Sequence, residues 1–158
     1  MTATTLGQLF LEGIAHDNPR ALRIAVDGRE RTLSAAQVSA QVLRMALALR
    51  RAGLAKGETV ALLSENRPEW LIADFGITLT GGVVIPLYMN LLPPQVRTIL
   101  ADAKPRFVLV STPDQAQKVR EATEPSSPTV ILMDPPPGSD LPHAWDRFLA
   151  SGAPREGD

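Results

Sequence analysis

The chain has no cysteine among its 158 residues. Disulfides, thiolate metal sites and cysteine nucleophiles are excluded, and the absence fits a reducing, cytoplasmic setting. An excess of either charge is also lacking, because 16 lysines and arginines balance 17 aspartates and glutamates for a net charge of -1. That balance offers no electrostatic footprint for nucleic acid or an anionic membrane, and neither partner is expected. No apolar run is long enough to span a bilayer. Residues 71–87 come closest, and Asp74 and Gly81-Gly82 interrupt them. The first residues show no basic segment followed by an apolar run, so a signal peptide is not expected. There are 2 histidines. His16 falls at a predicted helix C-terminus, where a cation is favourable for structural reasons. His143 lies near Asp140 and Asp146 in a proline-rich stretch without a third ligand on a rigid frame, so no metal site is expected. There is no GxSxG elbow and no GxGxxG. Gly76, Gly81 and Gly82 give GxxxxGG without the lysine and hydroxyl that cradle phosphates. What remains is an ordinary balance, 44% hydrophobic and 21% charged, with length enough for a domain core.

The most informative stretch is 57–88, GETVALLSENRPEWLIADFGITLTGGVVIPLY. Thr59–Leu63 is apolar without alternation, as in a strand covered on both faces. Asn66 followed by Glu69 predicts a helix N-cap, and Pro68 is tolerated because first-turn amides lack intrahelical partners. Gly81 and Gly82 stop that helix, and Val83–Leu87 predicts a second buried strand. Two parallel strands joined by a crossover helix form the basic α/β unit.

Three more helix starts follow the same logic. Thr5 with Gln8 opens one towards His16, Ser34 with Gln37 opens one that closes at Gly53, and Thr112-Pro113 with Gln115 opens another. Val38, Val42, Met45 and Leu49 form one apolar stripe, and arginines gather towards that helix's C-terminus. Leu22–Val26, Asp27-Gly28 and 31–33 predict a short β-hairpin. Further strands are predicted at 106–111 and 129–133, with helices near 95–103 and 114–123. Pro86 cannot donate to a ladder, which places its position at an edge or strand end. The fold class is therefore α/β, with a mostly parallel sheet flanked by helices and a short N-terminal hairpin. Residues 1–133 form the α/β unit. Residues 134–158 read as a proline-rich connector with a short helix docked by Trp145, Phe148 and Leu149, followed by a loose tail in SGAPREGD.

Few residues invite chemistry. Asp74 has no obvious titratable partner and reads as a half-exposed or amide-bonded carboxylate rather than a base. Lys118 and Arg120 face a phosphate only if their helix turns them to one, and a solvated face is the default. Trp70 and Phe75 on the crossover helix read first as core. Ser64, Tyr88 and Ser111 fall at the C-terminal ends of strands, where α/β folds bind ligands.

Three stretches carry a resemblance: RTLSAAQVSAQVLRMALALRRAGLAKGETVALLSENRPEW, DFGITLTGGVVIPLY and PPQVRTILADAKPRFVLVS, with AWDRFLASG at the end. Together they resemble the N-terminal part of AMP-forming acyl-CoA synthetases, the long-chain fatty acid–CoA ligase branch in particular, over nearly the whole chain. The resemblance implies a ligase that joins a carboxylic acid to coenzyme A through an acyl-adenylate, using ATP and magnesium. The family's Ser/Thr/Gly-rich loop, its aromatic-Gly-x-Thr-Glu and Thr-Gly-Asp motifs and its C-terminal lysine have no counterpart in these residues, so no catalytic, cofactor-binding or metal-binding residue carries over. Leu92 stands before Pro93 where the family usually has Thr or Ser, which removes a cap of about 1 kcal/mol.

The expectation is an N-terminal subdomain of a longer ligase or a truncated product, inactive alone, with Trp70, Phe75 and Tyr88 as a wall of the acyl pocket. Its partner would be the remainder of the ligase chain. Two alternatives stand beside it. One is an interaction module that forms a homodimer through an uncovered face. The other is an independent small-ligand domain with its pocket near Ser64, Tyr88 and Ser111.

Overall fold

The computed structural model describes residues 5–26, 29–123, 128–141 and 143–155. The Asp27-Gly28 turn and the last three residues, 156–158, lie outside the described residues. Along the chain run α1 (Leu6–Ile14), β1 (Leu22–Val26), β2 (Arg29–Leu33), α2 (Ala35–Arg51), β3 (Thr59–Leu63) and α3 (Pro68–Leu79). They are followed by β4 (Val83–Leu87), α4 (Pro93–Ala103), β5 (Phe107–Val110), α5 (Pro113–Ala122), β6 (Thr129–Leu132) and α6 (Trp145–Ser151). Strands β1 and β2 pair antiparallel, with Leu22 opposite Leu33. The other four strands form a parallel sheet in the order β4-β3-β5-β6. The architecture is the expected α/β one.

The strand alternation sorts the core into two halves. Val60, Leu62, Phe107, Leu109 and Ile131 pack towards α1, α2, α3 and α6. Ala61, Leu63, Val108, Val110 and Leu132 pack towards α4 and α5. The α2 stripe behaves as its period requires, with Val42, Met45 and Leu49 fully buried. Each such side chain contributes about 1.5–3 kcal/mol of burial.

Local chemistry explains most helix ends. Thr5 accepts from the Gln8 amide at 3.1 Å. Ser34 and Gln37 form a reciprocal capping box at 3.2 and 2.9 Å. The end of α3 is a Schellman motif, in which Gly81 donates to Thr78 and Gly82 to Ile77 while Gly81 takes φ +77°. At α4 the Leu92 side chain supplies no cap, but Gln95 reaches back to accept from the Leu92 amide at 2.8 Å, satisfying one exposed donor.

Two expectations need correction. The N-cap of α3 is Arg67, not Asn66, and it makes no side-chain cap. Pro68 at the first helical position drives the preceding residue into extended backbone, φ -150° and ψ 163°, so the helix starts one residue later than Asn66 would set it. Strand β4 is not buried on both faces, since it lies at a sheet edge with Val83 45% exposed. Pro86 fits that edge. The Val83 amide donates to the Glu58 carbonyl, so alternate residues point inward and Pro86 points outward, where no ladder bond is lost.

The described residues of segment 135–144 are irregular apart from a bridge between Leu132 and Ala144, and α6 docks through Trp145, Phe148 and Leu149. The residues after α6 have a polar anchor instead of an apolar one. Arg51 donates to the carbonyls of Ser151 and Ala153 at 2.5 and 2.9 Å. Gly152 lies so close to α2 that a Cβ there would meet the Arg44 carbonyl oxygen at 1.8 Å.

Candidate functional site

The C-terminal ends of β3, β4 and β5 gather the polar residues of the sheet. Ser64 ends β3 almost buried, and its hydroxyl donates to the Glu65 carbonyl at 3.0 Å. Tyr88 ends β4 and is 80% exposed. Ser111 ends β5 fully buried, and its hydroxyl has no hydrogen-bond partner among the described residues.

An open cleft of about 520 Å³ lies beside the first two, lined by Ser64, Glu65, Asn66, Trp70, Tyr88 and Met89 among others. Trp70 and Tyr88 therefore share one site. Phe75 does not join them. Its ring stacks on Phe10 with centroids 4.3 Å apart, and it lines a separate apolar groove with Leu6, Leu9 and Leu71.

Arg67 is the main electrostatic feature of this end. Its guanidinium forks onto Asp134 at 2.6 and 2.8 Å, and its Nε donates to Glu69 at 2.7 Å. Glu65 adds a longer contact at 3.4 Å, and the Glu65 Oε2 atom is buried without a partner among the described residues. The Asp134 hydrogen bond raises the Arg67 pKa, helped by Glu69 and opposed by burial. The same bond holds the Asp134 carboxyl below its usual range, against a smaller desolvation effect. Sequence reading missed this cluster. Arg67 and Asp134 are 67 positions apart, and no local pattern joins them.

Other candidates resolve differently. Burial raises the Asp74 pKa, and among the described residues no ion pair compensates it. Lys118 donates to the Met89 carbonyl at 2.7 Å, tying α5 to the exit of β4, and Arg120 donates to Gln117 at 3.1 Å. His16 and His143 are exposed, and no metal-competent cluster of three ligands occurs among the described residues.

Residues 13–153 match the sequence profile of the family described as AMP-binding enzyme. The chain belongs to this AMP-binding enzyme family. It is 32% identical over 128 residues to long-chain-fatty-acid–CoA ligase FadD15 of Mycobacterium bovis, a match that covers 81% of the chain and 21% of that protein. It is 34% identical over 115 residues to indoleacetate–CoA ligase of Aromatoleum aromaticum, covering 73% of the chain and 22% of that protein. The crystal structure of Brucella canis acyl-CoA synthetase superposes on 96% of the chain and 28% of that structure, with a TM-score of 0.80 at 22% identity, a likeness of fold. The chain thus spans about a fifth of the length of the curated relatives it matches. The region matched to this AMP-binding enzyme family contains α3 with Trp70 and every residue of the Arg67 cluster. No helix among the described residues is long and apolar enough to cross a membrane.

Proposed function

We propose that the chain is the N-terminal subdomain of an AMP-forming acyl-CoA ligase acting on a fatty acid, with 1–133 as the α/β unit and 134–158 as the connector. The carrying observations are a family match over 13–153 and a long-chain ligase relative of which the chain covers only 21%. In the reaction, the carboxylate attacks the α-phosphorus of ATP, releasing pyrophosphate. The thiol of coenzyme A then attacks the acyl carbon and AMP leaves, with magnesium screening the phosphates.

The polar end of the sheet does not fit a triphosphate. One guanidinium there faces Glu65, Glu69 and Asp134, an excess of negative charge that repels polyphosphate. These residues are therefore unsuited to holding ATP. Their contribution is scaffold, with Trp70 and Tyr88 offering an aromatic wall beside the cleft. The remainder of the ligase is the partner, and the cytoplasm, where ATP and coenzyme A are supplied, is the location. Isothermal titration with ATP and magnesium should give no binding heat for the isolated chain. A saturable heat would overturn this reading.

A second reading has its own observation. Leu6 is 68% and Leu9 58% exposed on α1, at the rim of the groove that holds Phe75. Such a face favours a homodimer. Light scattering at rising concentration tests it, and a strict monomer rejects it.

A further inference from the structure

The strand order reverses between β3 and β5. The chain goes from β3 out to β4, then crosses back to β5 and on to β6. In such sheets the crevice above the reversal is the usual ligand position. Here it is bridged. Arg67 follows β3, Asp134 follows β6, and β5 lies between those two strands. The fork from Arg67 to Asp134 therefore passes across the end of β5.

Ser111 sits at that end. Its amide donates to the Leu63 carbonyl at 3.2 Å and its carbonyl accepts from the Asp134 amide at 2.9 Å, so its backbone joins the two strands whose extensions carry the bridge. Continuing the alternation of Phe107 and Leu109, it belongs to the face packed by α3, the helix that Arg67 precedes. Its hydroxyl is fully buried, with no protein hydrogen-bond partner among the described residues.

We propose that Arg67 is a positioning residue, a strap that closes the switch-point crevice over Ser111 and leaves the neighbouring cleft at Trp70 and Tyr88 as the open mouth of this end of the sheet. Arg67 is well suited to the task. Its side chain is 17% exposed, its planar fork engages Asp134 through two nitrogens, and its third donor is held by Glu69 at the start of α3. The strap thus fixes the first turn of α3 against the turn after β6. This inference concerns the fold alone and does not depend on the ligase reading.

The absence of cysteine gives a direct test. Ser111→Cys introduces a single thiol, and its labelling by a thiol reagent reports opening of the crevice. Ala48→Cys, buried on α2 in the same core layer but away from the sheet end, reports opening of the core as a whole. Adding Arg67→Met should speed labelling at position 111 by about tenfold or more while changing the rate at position 48 much less, the mark of local opening. Asp134→Asn removes the fork's partner from its exposed side and should speed labelling at position 111 in the same selective way. It carries the test if Arg67→Met does not fold. Arg67→Lys, which retains charge without the fork, should fall between. Equal acceleration at both cysteines would make Arg67 a contributor to global stability only and would overturn the proposal. So would unchanged labelling at position 111 in the folded variants.

Discussion

The two ends of the parallel sheet are built differently. The end where the strands begin is held by backbone. Gly57 donates to Gly81 at 2.9 Å, Val83 to Glu58 at 2.9 Å and Arg106 to Thr59 at 2.9 Å, and Gly53, Gly57 and Gly81 turn with positive φ. The end where the strands finish adds charged side chains around Arg67 to its backbone bonds and carries buried polar atoms without partners among the described residues. The Arg106–Glu58 pair at the first end is exposed and long at 3.7 Å, so it adds little. The lesson is a division of labour. Backbone turns set the register of the sheet and resist pH and salt, whereas the opposite end is tunable because its contacts are ionic.

The largest expected effect comes from breaking the backbone end. Gly81→Val places a β-branched side chain at φ +77°, with Lys56 Cγ already 3.0 Å from the new Cβ. The lysine arm can move, but the backbone conformation cannot be relieved without losing the Schellman bonds. A loss of about 2–3 kcal/mol is expected. Urea unfolding should show it as a lower midpoint at unchanged slope. The loss should be the same at low and high salt and at acidic and neutral pH. A salt-dependent loss would erase the contrast between the two ends.

Breaking the ionic end should cost less and depend on conditions. Arg67→Met removes a fork and one further charged hydrogen bond at the surface edge of the core, for about 1–2 kcal/mol at neutral pH. The sign follows from Asp134. Its pKa is lowered in the folded chain by Arg67, so the folded state binds fewer protons than the unfolded one. The stabilisation is complete above the ordinary carboxylate range and fades as pH falls through the lowered pKa. Wild type and Arg67→Met should therefore converge in acid. Parallel curves across that range would show that packing, not charge, carries the residue's effect.

The backbone end was largely legible from sequence, and the ionic end was not. Gly81-Gly82, Ser34 with Gln37 and Thr5 with Gln8 act on neighbours within a turn, so their spacing states their role. Arg67 acts on Asp134 across the end of one intervening strand, β5, and only the strand order brings the two close. Asn66 had the right chemistry for a cap, and the proline two residues on decided the start of the helix instead. The Val83–Leu87 run has the composition of a covered strand, yet Pro86 within it already points to an edge or strand end, and the sheet order puts it at the edge. Trp70 and Phe75 are close in sequence on one helix, yet they face different sites, because one lies beside the sheet end and the other meets Phe10 from α1.

The smallest effect sharpens the comparison from between the two ends. Asp74 lies on α3, away from both, and burial raises its pKa with no ion pair among the described residues to compensate. The folded state therefore binds more protons than the unfolded state, and stability falls as pH rises from the ordinary carboxylate range through the raised pKa. This is the opposite sign to Asp134. Asp74→Asn removes the cost of ionising a half-buried carboxyl and should raise stability at neutral pH by less than about 1 kcal/mol. In acid, where the native carboxyl is protonated in both states, the gain should vanish. Urea midpoints of the two proteins across the acid range would separate the contributions. If Asp74→Asn is instead less stable at neutral pH, the carboxylate has a favourable partner, and the charges that matter are not confined to the Arg67 end.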